Sequence, residues 1–269
     1  MKKAATENKI YYTLRIASAM CFIGHGAFGI ITKAVWCNYF AVFGIGHDMA
    51  YTLMPYVGTI DICMGLLILF YPLRIVFGWL VVWGFITATL RPLSGEPFAE
   101  LVERAGNYGA PLVLLLLTYT KTNKWLKPVK VSDINFSEAN IKRVTWCLRV
   151  VVFLLLLGHG WLNILGKQSL LDQYKSLGFS NTLEVARITG SLEILAAVSI
   201  LIKPVHSVLL VFFTWKITSE LFYPHWELFE FIERGGSYGA ILALWFLTDT
   251  SKRYSFIKNE NGPAAMLSH

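Results

Sequence analysis

Charge is what this chain lacks. Only 15% of its 269 residues are Asp, Glu, Lys or Arg, while 55% are hydrophobic. A soluble domain carries about 25% charged residues, so the shortage excludes an ordinary water-soluble fold of this length. Other absences narrow the class further. No stretch alternates apolar and polar residues with period two, which excludes an outer-membrane barrel. No C-x-x-C occurs, and Cys21, Cys37, Cys63 and Cys147 are far apart in sequence. Neither a thiol relay nor a metal site is therefore expected, and the cysteines read as small apolar fillers. Nor is there a compact basic domain to turn the net charge of +7 into a nucleic-acid footprint.

What is present is a series of apolar blocks of membrane-spanning length. They fall near 15–33, 52–71, 74–91 and 107–120, and again near 146–166, 187–202, 204–223 and 236–249. The blocks near 107–120 and 236–249 are the shortest, below the ~20 apolar residues of a standard span. The pattern predicts an all-α polytopic membrane protein with eight transmembrane helices. His25 lies inside the first block, which has a counterpart in the fifth, so that block reads as a retained span and not as a cleaved leader.

The second half restates the first. Arg15, Gly24, His25, Gly26 and Lys33 recur 134 positions later as Arg149, Gly158, His159, Gly160 and Lys167. Gly58, Asp61, Pro72, Trp83 and Pro92 recur after 132 as Gly190, Glu193, Pro204, Trp215 and Pro224. Glu100, Glu103, Arg104, Gly106, Tyr108 and Gly109 recur after 130 as Glu230, Glu233, Arg234, Gly236, Tyr238 and Gly239. This period is too long for a solenoid repeat of about 20–50 residues, so it marks a duplicated domain. The expected division is a first four-helix repeat over 1–120, a Lys-rich linker over 121–145, a second repeat over 146–250 and a flexible tail over 251–269. An even number of helices in each repeat makes the two copies parallel, related by an axis along the membrane normal.

Lys and Arg orient the chain. With both termini inside, 16 of the 24 basic residues but only five of the 17 acids fall in the inner segments. The basicity is thus an orientation signal. It places both termini in the cytoplasm and the chain in a plasma or inner membrane, with the linker able to touch anionic lipid.

Ionisable side chains within hydrocarbon are costly and ask for a partner or a purpose. His25 and His159 each precede a helix-ending lysine by eight residues, roughly 12 Å below the outer end at 1.5 Å per residue. Asp61, Glu193, Lys216 and Glu220 fall at similar depths, so these six residues form one candidate layer for ligand binding or proton relay. Glycines flank both histidines, which clears space for a neighbouring helix or a flat ligand. A His–carboxylate pair serves equally as packing glue or as an oriented proton donor. Lys216 and Glu220 are spaced as an i,i+4 pair. The first half has Gly84 and Ala88 there, which raises a reading with a working site in the second half and a degenerate one in the first.

The outer loops repeat an acidic amphipathic stretch at 96–109 and 225–239. Glu100 with Arg104 and Glu230 with Arg234 are Glu-before-Arg pairs that favour a helix. Each stretch is expected to form a short capping helix that turns at its glycines into the last span. It either sits solvated or places Glu103 or Glu233 against Lys33 or Lys167 at the mouth of the site, with Arg104 and Arg234 beside them. His47, His206 and His225 have no counterparts and are expected at interfaces.

The order Arg15, His25-Gly26, Lys33, repeated as Arg149, His159-Gly160, Lys167, resembles the DoxX-like superfamily of four-helix membrane units. So do Gly58, Asp61 and Gly65, with Gly190 and Glu193 as their repeat. The resemblance implies a tandem duplication of that unit. It also implies a redox-linked subunit that binds a quinone-like or other lipophilic ligand in the outer-leaflet polar layer, with a redox partner protein supplying electrons. Homo-oligomerisation is a further expectation. A haem held by His25 and His159 is disfavoured with one such histidine per half. A small-molecule or proton-coupled transporter and a non-catalytic assembly protein remain as alternatives.

Overall fold

Apolar blocks separated by glycine, proline and charge become helices, because hydrocarbon leaves backbone amides no partner but their own chain. The computed structural model describes residues 2–119, 124–221 and 228–260, with the backbone alone at 2–5 and 249–260. The helices are α1 (Lys2–Ile30), α2 (Trp36–Ala41), α3 (His47–Phe70), α4 (Arg74–Leu93), α5 (Ala99–Glu103) and α6 (Ala105–Thr118). They continue as α7 (Glu138–Ile164), α8 (Gln168–Ser176), α9 (Thr182–Ile202), α10 (His206–Leu221), α11 (Leu228–Glu233) and α12 (Gly235–Glu260). No strand occurs among the described residues. Five helices, α1, α3, α4, α7 and α9, are long and apolar enough to cross a membrane.

Helix α12 runs on to Glu260, past the expected start of the tail at Ser251. The linker is not merely polar spacer. Val129 N–H donates to Pro72 O at 2.8 Å, which ties it to the α3–α4 turn. Ser137 then caps α7 by accepting from Asn140 N–H.

Helices α1, α6, α7 and α12 form the centre, contributing Leu14, Leu114, Leu148 and Leu244 to one buried cluster. Helix α3 packs on α1 and α9 on α7, while α4 lies against α6 and α10 against α12. Burial separates the two groups. Of the apolar window, 61% is buried in α1 and 56% in α7, against 28% in α3 and α4 and 33% in α9. The flanking helices expose Tyr56, Phe70, Val82, Leu192, Leu195 and Ile202. Faces this apolar suit lipid, since a soluble monomer rarely shows a large contiguous apolar patch.

Two sequence signals of the repeat have structural roles. Arg15 donates to the last carbonyls of α3, Ile68 at 2.8 Å and Leu69 at 2.5 Å. Arg149 does the same for α9 through Ile200, Leu201 and Ile202. Each arginine thereby satisfies C-terminal carbonyls that have no helical partner. Helices α1 and α7 also end alike. Lys33 N–H reaches Phe28 O at 3.0 Å and Lys167 N–H reaches Leu162 O at 3.1 Å. These bonds close Schellman turns whose left-handed residues are Thr32 (φ 52) and Gly166 (φ 69).

Candidate functional site

The His–carboxylate pairs predicted from sequence form in both halves. His25 Nδ1–H donates to Asp61 Oδ2 at 2.7 Å, and His159 Nδ1–H donates to Glu193 Oε2 at 2.7 Å. Both carboxylates are buried, and one oxygen of each, Asp61 Oδ1 and Glu193 Oε1, has no hydrogen-bond partner among the described residues. The six layer residues do not converge on one site. They divide into the His25–Asp61 pair, the His159–Glu193 pair with Lys216 near it, and Glu220, which pairs with Arg234 Nε at 3.2 Å. The expected i,i+4 partnership of Lys216 with Glu220 is not among the ion pairs of the described residues. Glu220 is drawn to the guanidinium instead, and Lys216 Nζ is buried without a hydrogen-bond partner there.

The glycines beside the histidines make room for protein, not for a ligand. A Cβ on Gly26 would lie 2.5 Å from Gly58 O, and one on Gly160 would lie 2.6 Å from Gly190 O, so these glycines let α3 and α9 approach closely enough to pair. The preceding glycines face the opposite half. A Cβ on Gly24 would lie 2.3 Å from Glu233 N, and one on Gly158 would lie 2.2 Å from Glu103 N. Each acidic loop therefore crosses over and seats on the first helix of the other repeat.

The crossing corrects the expected mouth pairing. Lys33 pairs with Glu230 at 2.7 Å and Lys167 pairs with Glu100. Glu103 and Glu233, one turn further on, point inward to Arg234 at 2.9 Å and to Arg104 at 3.5 Å. Loops α5 and α11 are not solvated, since Glu100, Glu103 and Glu233 are all buried. The turn into α6 falls at Arg104, and Gly106 lies within that helix, packed against Gly236 and Ser237 of the other half. Burial opposes ionisation of Glu103 and Glu233. Arg234 and Arg104 outweigh it for Glu103, and Arg104 with His25 for Glu233, so both carboxyls are held below the usual range. The expected residues Pro224, His225 and Trp226 lie outside the described residues.

The two halves differ in what surrounds the pair. In the first, the His25 ring stacks near Trp36, with centroids 4.7 Å apart. It lines a cavity of about 90 Å³ together with Tyr39, Phe40, Trp83, Arg104 and Glu233. Trp83 Nε1 itself is buried, with no hydrogen-bond partner among the described residues. In the second half polar side chains close around the pair. Asn163 Nδ2 donates to Glu193 Oε2 at 3.2 Å, and Tyr174 OH donates to Asn163 Oδ1 at 2.8 Å. Trp215 and Lys216 also approach Glu193. The first half, where Gly84 and Ala88 stand at the positions of Lys216 and Glu220, is the one with an aromatic hollow beside its pair. Among the described residues the aromatic cavity belongs to the first.

Sequence reasoning missed Trp36, Tyr39, Phe40, Asn163 and Tyr174, which sit on the short helices α2 and α8 or at the end of α7. A signal for those helices existed. Gly44 and Gly178, 134 positions apart, both take positive φ and end α2 and α8 alike. No family model, curated protein or solved structure matches the chain.

Proposed function

We propose that this chain is an integral membrane protein of DoxX-like type, with eight transmembrane helices as two parallel four-helix repeats and both termini cytoplasmic. The five long apolar helices support the membrane reading. The matched His–carboxylate pairs and the crossed loops support the duplication. Helix α6, of 14 residues, reaches only about 21 Å, so as a span it depends on the loop helix α5 at its outer end.

The function is binding of a quinone-like lipophilic ligand in the first-half cavity, in service of a redox partner protein. One observation carries this reading. A pocket walled by Trp36, Tyr39, Phe40 and Trp83 takes in an imidazole, His25, that Asp61 orients. With Nδ1 committed to Asp61, Nε2 is the nitrogen left to His25 for a carbonyl or hydroxyl head. Trp36 and Phe40 offer faces against which a ring can stack. Such a site resembles a typical small-molecule pocket, apolar with few polar groups. The nearby charges favour a neutral head, because Arg91 and Arg104 are already matched by Glu96, Glu100 and Glu233. Transport has less support, because the buried cluster toward the inner ends is apolar, with Tyr11, Leu14, Phe77 and Leu80.

The test is an oxidised-minus-reduced absorbance spectrum of protein purified in mild detergent, followed by titration with a ring-only quinone read by tryptophan fluorescence. A quinone signal and saturable quenching, both weakened about tenfold by His25→Ala for loss of a hydrogen bond worth ~1.4 kcal/mol, are the expected result. Folded protein with no quinone signal and no saturable quenching would overturn the reading.

A further inference from the structure

A second hollow lies directly below the first on the same face of α4. It is a groove of about 530 Å³ lined by Met64 of α3, by Ile75, Val76, Gly78, Trp79 and Val82 of α4, and by Trp125 of the linker. Every one of these side chains is apolar apart from the two indole N–H groups of Trp79 and Trp125. The cavity takes up where the groove ends, with Val57 on α3 and Trp83, Thr87 and Leu90 on α4. Val57 and Met64 are seven residues apart, two helical turns, so they share a face of α3. Trp79 walls the groove and Trp83 walls the cavity. Their rings are stacked, with centroids 5.9 Å apart and planes 7° from parallel.

The two hollows therefore share an indole wall and divide by chemistry. The outer one holds His25, Arg91, Arg104, Asn107 and Glu233, and the inner one holds no ionisable group. A ring with polar substituents fits the outer end and a hydrocarbon chain fits the inner end, in one molecule. We propose that the α3–α4 groove binds the prenyl chain of the ligand whose ring occupies the His25 cavity, so that the substrate class is a prenylated quinone and not a free ring. This rests on the ligand-binding reading above. The groove opens on the lipid-facing flank, where Ile75, Trp79 and Val82 are exposed. The ligand thus enters sideways from the bilayer with its ring leading along α4.

Moving a chain from lipid to groove gains no hydrophobic energy, since lipid tails are as apolar as the wall. The gain comes from packing against three rigid indole or aliphatic surfaces, and is expected to be about tenfold in affinity. The linker contributes directly. Trp125 walls the inner end of the groove, and a Cβ on Gly78 would meet its ring at 3.4 Å, an ordinary van der Waals contact.

The experiment compares two ligands on the full-length protein in nanodiscs, with concentrations given as mole fraction in the bilayer so that partitioning cancels. One is a ring-only quinone, and the other is the same ring with a short prenyl chain brominated at its end. Expected is tighter binding of the prenylated form by about tenfold. That ratio should collapse toward one in Val82→Trp, which fills the groove. Bromine quenching should fall in Trp125→Phe and fall further when Trp79→Phe is added, because both indoles line the groove. Equal affinity of the two ligands in the unmodified chain, or bromine quenching that the double replacement leaves unchanged, overturns the groove assignment while the cavity reading stands. Failure of both ligands to bind overturns both. Equal quenching by a brominated phospholipid without any quinone would show ordinary lipid in the groove and also overturn the assignment.

Discussion

Thr32 is a β-branched residue in the left-handed region, at φ 52, where its repeat counterpart is Gly166. For an L-residue that conformation costs roughly 1–2 kcal/mol, and glycine relieves it at some cost in unfolded-chain entropy. Thr32→Gly should therefore stabilise the protein by about 0.5–1 kcal/mol, and Gly166→Thr should destabilise it, both read as shifts in the unfolding midpoint in detergent. At the site itself, Asp61→Asn removes the anion that orients His25 and should weaken ring binding about tenfold, the loss of ~1.4 kcal/mol expected for a charge-assisted hydrogen bond. The matching change Glu193→Gln should register chiefly in stability, because its pair is enclosed by Asn163 and Tyr174. Both histidine pairs were legible from sequence because two halves keep the same polar residues at the same depth. The aromatic lining was not, since Trp36 corresponds to Leu170 and Phe40 to Tyr174, and a difference between repeats gives no signal of what it encloses.

Among the elements, the long spans were the most legible, since apolar length alone marks them. Each of the eight predicted blocks falls on a helix apart from some end residues, including the 14-residue α6. What sequence could not give was the path of the loop helices. The five-residue α5 and the described turn of α11 bury acids that look solvated from composition. The Glu-Arg order in α5 and α11 favours a helix but does not say which half each carboxylate meets. The crossing is testable at Gly24 and Gly158. A methyl there would press on the backbone of Glu233 or Glu103, at 2.3 and 2.2 Å, and backbone cannot yield as a side-chain tip does. Gly24→Ala or Gly158→Ala should cost about 1–3 kcal/mol, whereas alanine at the open position Gly46, where nothing lies within 4 Å, should cost far less. Thermal unfolding of the three variants decides it.

At the scale of the whole molecule, the crossed loops are joined by a belt of charge that depends on pH. Burial pushes the Glu230 carboxyl up, but Arg234 and Lys33 hold it below its ordinary value, and Glu103 and Glu233 are held down likewise. Because these folded values lie below the unfolded ones, the stabilisation is complete above the ordinary glutamate value of about 4.3. It is lost as pH falls from there through the folded values. Unfolding midpoints should thus be flat near neutrality and drop on acidification below about pH 4.3, and Lys33→Ala with Lys167→Ala should make the drop shallower. The same crossing predicts that residues 1–120 and 121–269 produced separately fail to fold, and that co-expression restores one assembly, measured by co-purification.

The loops that seat on opposite halves also bear on how the two sites came to differ. Two separate copies of one four-helix unit, exchanging loops in the same way, would carry every substitution twice, so a lysine at the position of Gly84 would enter both sites at once. In a single continuous chain Lys216 enters one site and Gly84 remains in the other. One continuous chain thus leaves each half free to differ from the other. One half can become a fixed buttress while the other keeps an open pocket, with the two still locked through the arms they hold in common.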